Sequence, residues 1–235
     1  ADVVHISPSH HFPTGTVTPA SRRYELLGWA AKQEGRYIIE DEYDSEFRLV
    51  GNPIPALQSI DASDKVIYMN TFSKSLSSTI RISYMVLPIP LMVRYNYVLS
   101  FYACTVSNFD QYTLTRFIQE GYLEKHINRM RKFYRNSRDR ILSCIRNHRL
   151  YPQVTIKEEN AGLHFLMEVD TSYTDKEMVD RAAAAGINIS SLSQYCHGKE
   201  QEDSHTLVIN YSGIEEDIIE EACDRLLESV VSLTT

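Results

Sequence analysis

Apolar residues fall in short runs over the first ninety positions, separated by polar and turn-forming stretches. Val3-Val4-His5-Ile6, Tyr37-Ile38-Ile39, Val66-Ile67-Tyr68-Met69 and Ile82-Ser83-Tyr84-Met85-Val86-Leu87 have the length and composition of buried strands. Between the first two, Pro19-Ala20-Ser21 opens a helix predicted to run through Ala31. Leu26, Leu27, Trp29 and Ala30 supply its inner face, and Gly35 stops it. Gly51-Asn52-Pro53-Ile54-Pro55 predicts a turn or extended loop, where proline excludes regular helix. Over residues 122–146 the period changes, and Leu123, Ile127, Met130, Tyr134, Ile141 and Ile145 form a helical apolar stripe.

Beyond that helix the pattern returns to strands, at Val154-Thr155-Ile156 and over residues 163–169. A helix follows over 175–185, closed by Gly186, then strands at Ile187-Asn188-Ile189 and over 207–211. An amphipathic helix over 215–233 ends the chain. Alternating strands and helices predict an α/β fold, with a mainly parallel sheet in a large domain (1–121) and a smaller α/β domain (122–235).

Composition narrows the function. A chain of 235 residues can bury a substantial core in one large or two smaller domains. The formal net charge of -7 argues against a nucleic-acid-binding surface. Lys125, Arg129, Arg131, Lys132, Arg135, Arg138 and Arg140 on the long helix invite a DNA-binding reading, but a solvated outer face on an interdomain helix is the favoured one. Cys104, Cys144, Cys196 and Cys223 lack Cys-x-x-Cys spacing, as expected of reduced thiols in a cytosolic protein. No signal peptide and no apolar run of membrane-crossing length is found. His5, His10 and His11 lack metal-ligand spacing, so no metal is expected.

The chemistry concentrates after two strands. Lys74 follows the Val66 strand on the hydroxyl-rich loop Asn70-Thr71-Phe72-Ser73-Lys74-Ser75, and Arg81 comes seven residues later. The Ile38-Ile39 strand ends in Glu40-Asp41-Glu42-Tyr43. Parallel sheets bind ligands beyond the carboxyl ends of their strands, where Asp41 and Lys74 fall. Together these groups suit pyridoxal 5'-phosphate. Lys74 holds the aldehyde as a Schiff base, for which desolvation and the Arg81 cation favour a neutral amine. Asp41 keeps the pyridine nitrogen protonated, and Tyr43 donates to the phenolic oxygen. Thr71, Ser73 and Arg81 serve the phosphate, Thr71 being the better of the two hydroxyls.

The stretches Pro8-Ser9-His10-His11-Phe12-Pro13-Thr14-Gly15, Ser21-Arg22-Arg23, Glu40-Asp41-Glu42-Tyr43-Asp44-Ser45-Glu46-Phe47 and Thr71-Phe72-Ser73-Lys74-Ser75-Leu76 resemble the aminotransferase-like part of MocR-type (GabR-type, GntR-family) bacterial transcription regulators. Similarity continues through Asn160-Ala161-Gly162-Leu163-His164-Phe165 to the C-terminus. The resemblance implies a fold-type-I aminotransferase-like module that binds pyridoxal 5'-phosphate and senses an amino compound. It also implies a cytoplasmic homodimer that meets DNA only through a helix-turn-helix module. That module and an upstream phosphate-binding loop are not in this sequence, so the chain reads as a fragment with a partial large domain. In the GABA-responsive member an arginine grips the effector's carboxylate; the matching residue here is Gln194, which argues against GABA and for another amino acid or amine. His197 or an arginine elsewhere remains as a substitute.

Two roles stay open. In the sensor, Lys74 forms an internal aldimine that an effector converts to an external one; in the aminotransferase, the freed Lys74 also moves the alpha proton. A truncated piece that binds the cofactor poorly is a third reading. His10 reads either as a neighbour of the phenolic oxygen or as a loop histidine bonded to backbone. Asp44, Ser45 and Glu46 need only organise their loop, and Arg22 and Arg23 are expected as helix-surface charges.

Overall fold

The computed structural model describes residues 1–51, 54–160, 162–196 and 203–232. Two compact units divide the chain. One comprises Ala1–His11, Thr16–Glu46 and Gly51–Met130; the other comprises Phe12–Gly15, Phe47–Val50 and Arg131–Thr235.

In the first unit β1 (Val3–Ile6), α1 (Ala20–Ala31), β2 (Tyr37–Asp41), α2 (Leu57–Ile60), β3 (Val66–Thr71), α3 (Phe72–Ser75), β4 (Ser83–Val86), α4 (Ile89–Leu99) and α5 (Asn108–Gln119) follow in order. The sheet order is β1-β2-β3-β4. β1, β2 and β3 run parallel, whereas β4 returns antiparallel with Thr71 opposite Ser83. The carboxyl ends of three strands and the amino end of the fourth therefore share one edge. Beneath the sheet Ala30, Ile38, Leu57 and Val66 form a core against which Ile6, Leu26, Leu27 and Trp29 pack. The inner face expected of α1 is thus the one it uses.

In α6 (Tyr122–Asn147) the predicted stripe is buried at Tyr134, Ile141 and Ile145. The second unit continues with β5 (Val154–Lys157), β6 (His164–Val169), α7 (Asp175–Ala184), β7 (Ser190–Ser191), β8 (Thr206–Asn210) and α8 (Ile219–Val230), its sheet ordered β5-β6-β8-β7 and antiparallel throughout. α7 starts on a capping box between Thr174 and Glu177. Its exit bonds Ile187 N to Ala182 O and Gly186 N to Ala183 O, with Gly186 at φ +83°. That glycine-terminated exit corrects the strand expected at Ile187-Asn188-Ile189: the chain is still leaving the helix there, and pairing with β8 begins at Ser190. The closing helix is likewise shorter than expected, preceded by a 3-10 turn over Glu216–Ile218. Among the described residues no helix is long and apolar enough to cross a membrane.

Candidate cofactor site

Strand pairing assembles the predicted residues at one edge of the first sheet. Asp41 is the last residue of β2 and lies opposite Met69 of β3, and Glu42 N donates to Met69 O at 2.9 Å, extending the ladder by one bond. β3 runs directly into the single turn α3, which carries Lys74. Thr71 caps that turn, its Oγ1 accepting from Ser73 N at 3.1 Å. The same hydroxyl donates to Ile82 O at 3.3 Å, Ser73 Oγ donates to Ile80 O at 2.8 Å, and Phe72 N donates to Ile82 O at 2.9 Å. Arg81 is consequently held between two pinned carbonyls. The hydroxyls expected to meet phosphate hold the arginine's backbone in this structure.

Asp41, Lys74 and Arg81 are brought to this edge, with the Thr71–Ser73 cap, by register rather than by contact with one another. Among the described residues Lys74 and Arg81 make no hydrogen bond or ion pair, and both are exposed. The desolvation expected around Lys74 is not found, because a one-turn helix at the sheet edge buries only Ser75. Asp41 has an unanticipated neighbour in His5, whose Nε2 is 3.4 Å from Oδ2.

Tyr43 and His10 do meet. Tyr43 Oη is 3.1 Å from His10 O and 3.3 Å from His10 Nδ1, while that Nδ1 is 2.8 Å from Asp44 Oδ2. Burial, with the charges of Asp44 and Asp41, raises the Tyr43 pKa well above the ordinary tyrosine range. After His10 the chain passes through a cis Phe12-Pro13 bond to Gly15 at φ +70°. A Cβ on Gly15 would lie 2.7 Å from Glu158 Cβ, which accounts for glycine in the Pro-Thr-Gly motif. In the second unit the Phe12 ring meets His164 and Tyr195 edge-on at 5.3 and 4.9 Å between centroids. Gln194 is exposed on the 3-10 turn Leu192–Tyr195, and His197 lies outside the described residues.

Sequence reasoning missed a buried network on the other face of β2. Arg22 is exposed and pairs with Glu25, as a surface charge should. Arg23 is not a surface charge: only 1% of its side chain is exposed. Its guanidinium donates to Thr18 O at 3.0 Å, Pro55 O at 2.9 Å and Pro8 O at 2.9 Å, and stands 3.9 Å from Glu40. Glu40 accepts from Leu57 N at 2.6 Å and Gln58 N at 2.9 Å, and Glu42 accepts from Ser9 Oγ at 2.7 Å. One cation thus ties the loop between β1 and α1, through Pro8 and Thr18, to the segment before α2, through Pro55. Adjacent arginines on a helix offer no signal for which one turns inward.

A model of the aminotransferase class I and II family matches residues 3–226. The uncharacterized HTH-type transcriptional regulator YdeL of Bacillus subtilis is 42% identical over 226 residues, 96% of this chain and 48% of the regulator. The probable rhizopine catabolism regulatory protein MocR of Rhizobium meliloti is 32% identical over 98% of this chain and 46% of its own length. Among solved structures, a Pyrococcus horikoshii kynurenine aminotransferase determined with PMP superposes with a TM-score of 0.84 at 28% identity, over 98% of this chain and 56% of that one. The chain spans about half the length of the curated relatives it matches.

Proposed function

The chain belongs to the aminotransferase class I and II family, and we propose that it is the pyridoxal 5'-phosphate-holding, effector-sensing part of a MocR-type transcription regulator. The observation that carries this reading is the register that sets Asp41 and the Lys74 turn at the carboxyl ends of neighbouring parallel strands. The donor set fits the group. A carboxylate suits a protonated pyridine nitrogen, a primary amine suits an aldehyde, and a guanidinium suits a phosphate. When bound, the cofactor supplies an electrophilic carbon that combines reversibly with primary amines.

The chain's own residues then have distinct tasks. Asp41 holds a proton at the ring nitrogen, and Lys74 presents its amine from the α3 turn. Arg81, with its flanking carbonyls held by Thr71 and Ser73, offers a positioned cation, and Tyr43 and His10 would serve the phenolic oxygen. A ligand that takes the place of the Lys74 amine must itself be an amine, so the effector is an amino acid or amine. Gln194 gives that effector no charged clamp for a carboxylate. Signalling requires the effector to bind one conformation better than another. The DNA-binding helix-turn-helix module belongs to this proposal through the HTH-type regulator YdeL, and the homodimer and the cytoplasmic setting through the resemblance to MocR-type regulators.

Adding pyridoxal 5'-phosphate to the chain is expected to give visible absorption that Lys74→Ala abolishes; identical spectra for the two proteins would end the cofactor reading. Amino acids of both hands are then screened for a spectral change, with and without a keto acid. A change without turnover supports the sensor. Repeated turnover supports an aminotransferase, the reading favoured by the likeness to solved aminotransferases.

A further inference from the structure

Asp41 has one ion-pair partner among the described residues. Its Oδ2 lies 3.4 Å from Nε2 of His5 on β1, and the Asp41 and His5 side chains are 32% and 60% exposed. Register explains the meeting. His5 stands opposite Ile39, and Asp41 is two residues further along β2, so both side chains project from the same face of the sheet. Ile39, Ile67, Met69 and Met85, their neighbours on that face, carry no polar hydrogen. Thr71, further along β3, gives its own to Ile82 O. His5 is therefore the group that turns the Asp41 carboxylate. A carboxylate can only accept, so the nitrogen facing it carries hydrogen. At 3.4 Å this is an electrostatic contact rather than a closed hydrogen bond, and between exposed groups it adds little to folding. What it sets is direction: Oδ2 is drawn toward β1, and Oδ1 has no partner among the described residues.

We propose that His5 is a positioning residue of the cofactor site: by holding Asp41 Oδ2 from β1 it presents Oδ1 to the pyridine nitrogen. The proposal rests on the cofactor reading above for the identity of the ligand. His5 acts through Asp41 and need not touch the ligand itself. An unheld carboxylate at a strand end turns about two side-chain bonds, and binding the ring nitrogen removes that freedom. Ordering the carboxylate beforehand reduces the loss, which corresponds to roughly two- to tenfold in affinity.

The test is a double-mutant cycle on the whole chain, read as retention of pyridoxal 5'-phosphate in equilibrium dialysis. His5→Phe keeps a ring but no N–H, and is expected to weaken retention by roughly two- to tenfold with its urea midpoint unchanged. His5→Gln keeps an N–H at a similar reach and is expected to stay within about twofold of wild type. In an Asp41→Ala background, His5→Phe is expected to weaken retention no further. Equal losses from His5→Phe in both backgrounds overturn the proposal, as does unchanged retention in His5→Phe. It is overturned equally if His5→Gln loses as much as His5→Phe, or if the loss comes with a lowered urea midpoint. The contact is read separately from the 15N NMR shifts of the His5 ring, which are expected to move in Asp41→Ala; unmoved shifts overturn the proposal whatever dialysis shows. If wild type retains no pyridoxal 5'-phosphate, the cofactor reading fails and the role of His5 falls with it, even where the shifts show the two side chains in contact.

Discussion

Glu42 makes the stability of this chain fall as pH rises, and the size of the effect follows from its surroundings. Burial pushes its pKa up to about 8 from an ordinary 4.5; the Ser9 hydrogen bond and the Arg23 charge oppose the rise, and the neighbouring Glu40 adds to it. In the folded chain the carboxyl keeps its proton to neutral pH, whereas the unfolded chain loses it near 4.5. Between those values the folded state binds more protons, so the stabilisation is complete below about 4.5 and is lost as pH rises through about 8. A gap of about 3.5 at about 1.36 kcal/mol each bounds the change at roughly 5 kcal/mol. Coupling to Glu40 and local relaxation reduce the expectation to about 2–3 kcal/mol.

Glu42→Gln isolates this contribution, since an amide oxygen still accepts from Ser9 Oγ but does not titrate. Urea unfolding of both proteins at several pH values between 5 and 9 gives the difference in unfolding free energy, in which the thiols and tyrosines common to both cancel. Wild type is expected to lose about 2–3 kcal/mol relative to the variant from the acid to the alkaline end. A difference flat across that range to within about 0.5 kcal/mol would refute the assignment of the proton to Glu42.

The other substitutions separate the two faces of β2. Arg23→Met should cost about 3–5 kcal/mol in urea unfolding, because it leaves the buried Glu40 and three backbone carbonyls without their cation; a loss below about 1 kcal/mol would return Arg23 to the role of a solvated charge. Asp41→Ala, on a half-exposed strand end, should leave unfolding within about 0.5 kcal/mol while weakening retention of pyridoxal 5'-phosphate in equilibrium dialysis. Unaltered retention would remove Asp41 from the cofactor's ring.

What the sequence disclosed depended on whether an element had a core to face. α1, β3, α6 and β6 were legible because their apolar residues point at one, and their periods follow. α4 and α5 were not, and neither has a single buried residue. Ile89, Val93 and Tyr97 are 71%, 65% and 89% exposed, so no inward stripe imposes a readable period on α4. The same distinction governs the site. Lys74 and Asp41 were found because they follow strand ends, a local signal. Asp44 and His10 lie 34 positions apart, and only the paired strands bring them within a hydrogen bond.

The acidic motif that made this chain recognisable has two populations, sorted by alternation along β2 and its extension. Glu40, Glu42 and Asp44 are 0%, 3% and 3% exposed, and each has a fixed partner: the α2 backbone, Ser9 and His10. Asp41 and Tyr43, between them, stay half-buried at the edge where Lys74 emerges. The inward residues hold the loop carrying His10 to β2, so they shape the edge without belonging to it. Loss of ligand binding in a variant at 40, 42 or 44 therefore says nothing about contact until its stability has been measured. Loss at 41 or 43 in a protein of unchanged stability does, because nothing else in the fold depends on the outward pair to the same degree.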